Sequence, residues 1–280
     1  MPEPVLLITG TSSGIGLSTA VAAARAGYRT VATLRNPDAA GPLRAAAAEA
    51  GVELDIRTLD VTDETSIATC IDSVVADLGR LDAVVNNAGS GYLGTVEIAP
   101  PDDVRRVMEV NFFGVVGVTR AAMPHLRAAG GRVITVSSVG GAVGQPFNEA
   151  YCAAKFAVEG FLESLAPVAA AVGVSVTIVE PGPVGTEFVN NVGVDLGALF
   201  AGAGPYLPAL QAYINRVMAD FSSDALQTGD QVATVIMEAL QTDRPALRVQ
   251  TSTWARAFVG TKLVDLDGGA VLGETGTWVH

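Results

Sequence analysis

The sequence predicts an α/β fold, a doubly wound parallel sheet of about seven strands flanked by helices, and three observations carry that expectation. Short runs rich in Val, Ile and Leu alternate with alanine-rich, helix-favouring stretches, which is the pattern of buried parallel strands joined by crossover helices. The first apolar run leads directly into a glycine-rich turn and then a helix. Polar residues able to do chemistry follow the apolar runs immediately, at the carboxyl ends of the strands where ligands collect in such sheets.

Taken in order, the strands are expected at Val5–Thr9, Thr30–Leu34, Leu54–Leu59, Ala83–Asn86, Arg132–Ser137, Val174–Glu180 and Leu247–Val249, with helices between them. This regular alternation favours one domain over 1–280 rather than two small ones. Hydrophobic residues make up 49% and charged residues 16%, so a large core can be buried, with apolar surface left for a partner subunit. A net charge of −12 argues against nucleic acid or an anionic membrane as partner. Cys70 and Cys152 are too few for a disulfide framework or thiolate metal site and are expected to be reduced and buried; His125 and His280 are too few for a histidine zinc site, so no metal is expected. Neither histidine is placed to serve as base to a serine nucleophile, which weakens a hydrolase reading. Met1-Pro-Glu-Pro has no basic leader pattern, and no apolar run reaches membrane-spanning length, so a cytoplasmic protein without membrane insertion is expected.

The first strand ends at Gly10 and continues as Thr11-Ser12-Ser13-Gly14-Ile15-Gly16 before the helix from Leu17 to Ala26. Glycines permit a tight turn and let the backbone approach a pyrophosphate, while free amides at a helix N-terminus stabilise phosphate charge. The spacing is GxxxGxG, and a purely structural turn in another α/β protein is the alternative reading. After the second strand comes Arg35, where an NAD-specific site offers a carboxylate to the ribose. A guanidinium pairs instead with a 2′-phosphate, which points to NADP(H), with Ser12 able to add a hydrogen bond. Simple solvation of Arg35, or competition from Asp38, is the alternative.

Tyr151 and Lys155 are four residues apart, and Ser138 precedes the tyrosine by thirteen. On a helix that spacing puts phenol and ammonium on one face, where the positive charge favours phenolate and lowers the tyrosine pKa. Such a tyrosine can exchange a proton with an alcohol or ketone, with Ser138 holding the substrate oxygen. An ordinary solvated helix pair is the alternative. Asn111 falls within a helix expected from Asp102 to Leu126, an unfavourable place for asparagine.

These motifs, in register from about Val5 to Thr186, resemble those of the short-chain dehydrogenase/reductase family, a single Rossmann-like domain. The Val31–Arg35 and Gly144–Gly160 stretches resemble its 17β-hydroxysteroid and retinol dehydrogenase branch. The resemblance implies a catalytic tetrad of Asn111, Ser138, Tyr151 and Lys155, in which Lys155 also holds the nicotinamide ribose and Asn111 holds a water leading to solvent. It implies cofactor contacts from the Gly10–Gly16 turn, the Asp60-Val61 pair, the Asn87-Ala88-Gly89 turn, and Pro181, Gly182, Val184 and Thr186. The expected activity is NADP(H)-dependent interconversion of a secondary alcohol and a ketone on a bulky apolar substrate, steroid-, retinoid- or polyketide-like. A non-catalytic dinucleotide-binding regulator on the same fold is the rival. The segment 187–223, with Phe188, Leu199, Phe200, Tyr206, Leu207, Tyr213, Met218 and Phe221, is expected to cover the substrate. The helical pair around Asp102–Leu126 and Glu149–Val172 implies a homodimer or homotetramer, and the last thirty residues are read as candidate interface.

Overall fold

The computed structural model describes residues 3–186, 195–221 and 225–269. Seven strands form one sheet: β1 (Val5–Thr9), β2 (Arg29–Leu34), β3 (Asp55–Thr58), β4 (Ala83–Asn86), β5 (Arg132–Val136), β6 (Ser175–Glu180) and β7 (Arg248–Gln250). Their order is β3-β2-β1-β4-β5-β6-β7, with every neighbouring pair parallel. The Rossmann-like expectation holds, and each strand end falls within one residue of the expected position.

The strands form because their residues are apolar on both faces. In β1, Val5 and Leu7 enter a core with α3 (Glu64–Leu78), α5 (Gly114–Ala129) and α6 (Glu149–Ala170). Leu6 and Ile8 point the other way, into a core with α1 (Gly14–Arg25), α2 (Gly41–Ala50) and α9 (Gly229–Gln241). Period-two alternation thus serves two helical layers at once, and each leucine or isoleucine so buried contributes roughly 1.5–3 kcal/mol. Strand order reverses between β1 and β4, which opens a crevice at their carboxyl ends.

One expected helix differs in detail. The stretch expected to run from Asp102 to Leu126 consists of α4 (Pro101–Met108), a π-helical turn over Glu109–Phe113, and α5. The widened turn holds Asn111, and such turns recur at functional sites. After β6, α7 (Leu196–Gly202) and α8 (Leu207–Phe221) come before α9, and α10 (Thr253–Gly260) follows β7. Among the described residues no helix is long and apolar enough to cross a membrane.

Candidate active site

The glycine turn is built to an unforgiving tolerance. Gly10 has φ +70°, and a Cβ there would lie 2.8 Å from the Cα of Ala88. A Cβ on Gly16 would sit 2.3 Å from the Gly10 carbonyl oxygen and 2.4 Å from Asn87 Nδ2. The missing side chains let the start of α1 close onto the turn. Ser13, extended at φ −162°, precedes α1 but makes no capping hydrogen bond with its side chain, so the first-turn amides are left to an anionic group. This cradle, which side chains would fill, fits a dinucleotide pyrophosphate.

Neighbouring strands hold the cradle in place. Asn87 donates its side-chain amide to the carbonyls of Thr9 (3.0 Å) and Gly10 (2.9 Å), while the backbone amides of Asn87 and Ala88 both donate to the Thr9 hydroxyl at 3.0 Å. The side chain of Asn87, expected at the cofactor, therefore fastens β1 to β4. Gly89 follows it at an exposed position. Thr11 donates both its amide and its hydroxyl to the Thr33 carbonyl, which joins the turn to the end of β2. That tie brings Ser12 and Arg35 to one rim, where Arg35 is exposed. Asp38 lies in the turn capped by Asn36, to whose Oδ1 it donates its amide at 3.0 Å. Beyond β3, Asp60 accepts from the amide and hydroxyl of Thr62, and Val61 packs where a Cβ on Gly114 would approach within 2.9 Å.

The segment after β6 closes the crevice from the other side. The Val139 amide donates to the Pro181 carbonyl (3.0 Å), Gly182 packs under the Trp254 ring, and a Cβ on Gly14 would meet Thr186 at 3.0 Å. Val184 bridges to Gln227, fixing this segment against the start of α9.

The four tetrad positions converge at the same edge. Ser138 follows β5, accepts from the Gly140 amide at 3.0 Å and shares a hydrogen bond with Tyr151. Gly140 allows this approach, since a Cβ there would lie 3.3 Å from the tyrosine ring. Asn111 is fully buried; its Oδ1 accepts from the Ser90 amide (3.0 Å) and its Nδ2 donates to the Ser90 carbonyl (2.8 Å). Both ends of this amide are thus occupied in holding the chain after Gly89.

The electrostatics depart from what the spacing suggests. Lys155 is buried and donates to the Val136 carbonyl at 2.9 Å, with its ammonium 5.8 Å from the centre of the Tyr151 ring. Burial pushes the half-buried Tyr151 phenol up to about 12, and the Ser138 hydrogen bond offsets only part of that. The raised value differs from the lowering expected from the helix spacing because desolvation prevails. Burial lowers Lys155 itself to about 8, against the attraction of Glu159. Cys70 and Cys152 are buried free thiols whose pKa values are raised by burial, which suits packing rather than nucleophilic roles.

The described part of segment 187–223 forms a small core of its own. Leu199, Phe200, Tyr206, Leu207 and Tyr213 pack with Leu93, Ile98 and Phe147 over the loop leading into α6. Tyr206 donates to Glu97 at 2.6 Å, and Asn148 donates to the Tyr213 hydroxyl. Phe147 is held at φ +58°, an uncommon backbone for a bulky residue. Met218 is exposed, whereas Phe188 and the side chain of Phe221 lie outside the described residues. Of the last thirty residues, Trp254, Ala255, Phe258, Val259, Leu263 and Leu266 pack onto Val139, Ala142 and Val143 of the same chain.

The geometry agrees with what comparison with known proteins finds. The family model for short chain dehydrogenase matches residues 4–196. Retinol dehydrogenase 8 of Bos taurus is 38% identical over 278 residues, covering 94% of this chain and 86% of that protein. Human 17-beta-hydroxysteroid dehydrogenase type 1 is 38% identical over 277 residues, covering 96% and 83%. A crystal structure of a short-chain dehydrogenase from Streptomyces avermitilis superposes with a TM-score of 0.76 at 31% identity, covering 100% of this chain and 97% of that one. The chain belongs to the short-chain dehydrogenase family of oxidoreductases, in the branch that resembles steroid and retinol dehydrogenases. Its fold is one that binds a nicotinamide dinucleotide.

Proposed function

We propose that this protein is an NADP(H)-dependent oxidoreductase that interconverts a secondary alcohol and a ketone on a bulky apolar substrate. The observation that carries the reading is the meeting of Ser138, Tyr151 and Lys155 at the sheet edge that also holds the Gly10–Gly16 cradle. When bound, the cofactor supplies or accepts hydride. Tyr151 donates the proton to the nascent alkoxide in reduction and removes it in oxidation, and its raised pKa keeps the phenol protonated for reduction. Ser138 hydrogen-bonds the substrate oxygen, and Lys155 supplies positive charge behind the phenol. Asn111 acts by fixing the Ser90 backbone.

Arg35, exposed on the rim shared with Ser12, supports preference for a 2′-phosphate. The apolar α7–α8 roof above the loop before Tyr151, together with the similarity to steroid and retinol dehydrogenases, supports a multi-ring or long apolar substrate. Exposed Phe113, Phe156, Val168 and Val172 near and along α6 support association of two or more copies through this face. The test is consumption of NADPH or NADH, followed at the reduced nicotinamide absorbance, with ketones ranging from small keto acids to steroids, retinoids and polycyclic polyketides. The reading requires kcat/KM to rise with apolar size and NADPH to be favoured; preference for a small charged keto acid refutes the substrate assignment.

A further inference from the structure

Behind Lys155 lies a buried polar cluster that the tetrad does not use. On α6, Lys155, Glu159 and Glu163 recur at every fourth residue and share one face. Arg248 of β7 donates from Nε to Glu159 Oε2 at 3.1 Å and from its terminal nitrogen to Glu163, and its Nε lies 3.7 Å from Glu180 of β6. Glu159, Glu180 and Arg248 are each more than nine-tenths buried. Gln250 donates to Glu180 at 2.7 Å. The Ser137 hydroxyl hydrogen-bonds Glu159, and Glu159 and Glu180 are close enough to interact directly. Three carboxylates around one guanidinium are more acid than Arg248 alone needs, and the other cation that acts on Glu159 is Lys155.

We propose that Glu159, clamped by Arg248, is a positioning residue: the counter-charge that keeps buried Lys155 cationic and directed at the active site. The inference rests on the reading of Tyr151 and Lys155 as the proton-handling pair. The Lys155 ammonium donates to the Val136 carbonyl at 2.9 Å, and among the described residues no carboxylate bond to it accompanies this one. Burial in this position favours the neutral amine, and the Glu159 charge opposes it. Burial raises the pKa of Glu159, and the Ser137 hydroxyl, Arg248 and Lys155 itself oppose that rise and favour the carboxylate. The groups around the pair are Tyr151 and Glu163 on α6, Ser137 and Ser138 after β5, Glu180 on β6 and Arg248 on β7. The π turn brings Asn111 and the exposed Glu109, and α4 brings the surface pairs Asp102–Arg105 and Asp103–Arg106.

The chain has only two lysines, Lys155 and the exposed Lys262, so selective ε-¹³C-lysine labelling gives two resonances, distinguished by Lys262→Arg. Glu159→Gln removes the charge at constant volume. The Lys155 titration midpoint is expected to fall by about one pH unit or more, the usual effect of an opposite charge nearby. The alkaline limb of kcat/KM for ketone reduction should move down with it, while the rate well below the limb stays within about threefold of the parent, since charge and not contact is lost. Glu159→Asp keeps the charge and serves where the glutamine variant is too unstable to titrate: a midpoint within about half a pH unit of the parent supports the proposal, and one lowered by a full unit overturns it. An unmoved Lys155 midpoint in folded Glu159→Gln, or a shifted midpoint with an unmoved kinetic limb, overturns the proposal and leaves the oxidoreductase reading intact. A parent that reduces no ketone with either cofactor overturns that reading instead, and the positioning role with it.

Discussion

Gly16→Ala tests whether the cofactor cradle is held by contact rather than by flexibility. The added methyl carbon would lie 2.3 Å from the Gly10 carbonyl oxygen and 2.4 Å from Asn87 Nδ2, well inside normal contact. Relief requires one of two movements. If Asn87 swings away, it gives up its hydrogen bonds to Thr9 and Gly10, which together contribute about 2 kcal/mol. If the start of α1 retreats instead, overpacking of this kind costs about 1–3 kcal/mol, and the first-turn amides leave their positions. Either route predicts a loss of about 2–3 kcal/mol, or roughly 5–10 °C in Tm for a chain of this size. NADPH affinity should fall by about tenfold or more, equivalent to losing about 1.4 kcal/mol at the pyrophosphate. Thermal unfolding with and without cofactor measures both effects. Gly41→Ala at the start of α2, where a Cβ meets nothing within 4 Å, is the control and should be neutral or slightly stabilising. A Gly16→Ala protein that melts within about 1 °C of the parent and binds NADPH equally well would refute the argument.

Three further outcomes follow from the site. Tyr151→Phe should lower kcat for ketone reduction by about 10² or more while leaving NADPH affinity nearly unchanged, as steady-state kinetics and cofactor titration will show. Arg35→Asp should lower or invert an NADPH preference of about tenfold or more without much change in maximal rate, and equal kcat/KM for NADPH and NADH in the parent removes the role given to Arg35. Lys155 has a folded-state pKa of about 8 against an ordinary 10.5, so between those values the unfolded chain holds the extra proton and stability from this residue rises with pH. Lys155→Met should therefore compare better with the parent at pH 7 than at pH 10.5 by about 3 kcal/mol, at 1.36 kcal/mol per pH unit, and urea unfolding at the two pH values that shows no such difference contradicts the burial assigned to it.

The sheet was legible because its strands are buried on both faces, which leaves unbroken apolar runs such as Val5–Ile8 and Ala83–Val85 bounded by polar residues. The glycine turn was legible too, since few residues besides glycine fit at positions 10 and 16. What local pattern does not carry is the use to which a partner puts a side chain. The π turn at Glu109–Phe113 coincides with the Asn111 clamp on Ser90, 21 residues away, and nothing in the helical periodicity of 102–126 marks it. Asn87 was read as a cofactor contact, and its second use, the amide bonds to Thr9 and Gly10 that join β1 to β4, has no mark in the local pattern. Thr9 read as an ordinary strand residue and Thr11 as one more turn residue, though they carry the hydrogen bonds that shape the cradle. Glu159 could have been noticed from its four-residue offset from Lys155; Arg248, 89 residues further on, could not.

Burial imposes opposite demands on the two residues proposed to handle the proton. A water-poor edge strengthens each electrostatic contact to the substrate oxygen, but it also raises the phenol and discharges the ammonium, so helix spacing alone cannot supply the charge that Tyr151 needs behind it. The fold answers with contacts from two strands. Ser138 after β5 pulls the phenol down, the Val136 carbonyl within β5 fixes the ammonium, and Arg248 on β7 opposes the protonation of Glu159. Because β5, β6 and β7 are adjacent and parallel, these groups share one end of the sheet and are held by the backbone rather than by mobile loops. The reactive state of Tyr151 and Lys155 is on this argument a property of the sheet's right half, and substitutions at its buried charges should alter the pH response of catalysis before they alter substrate choice.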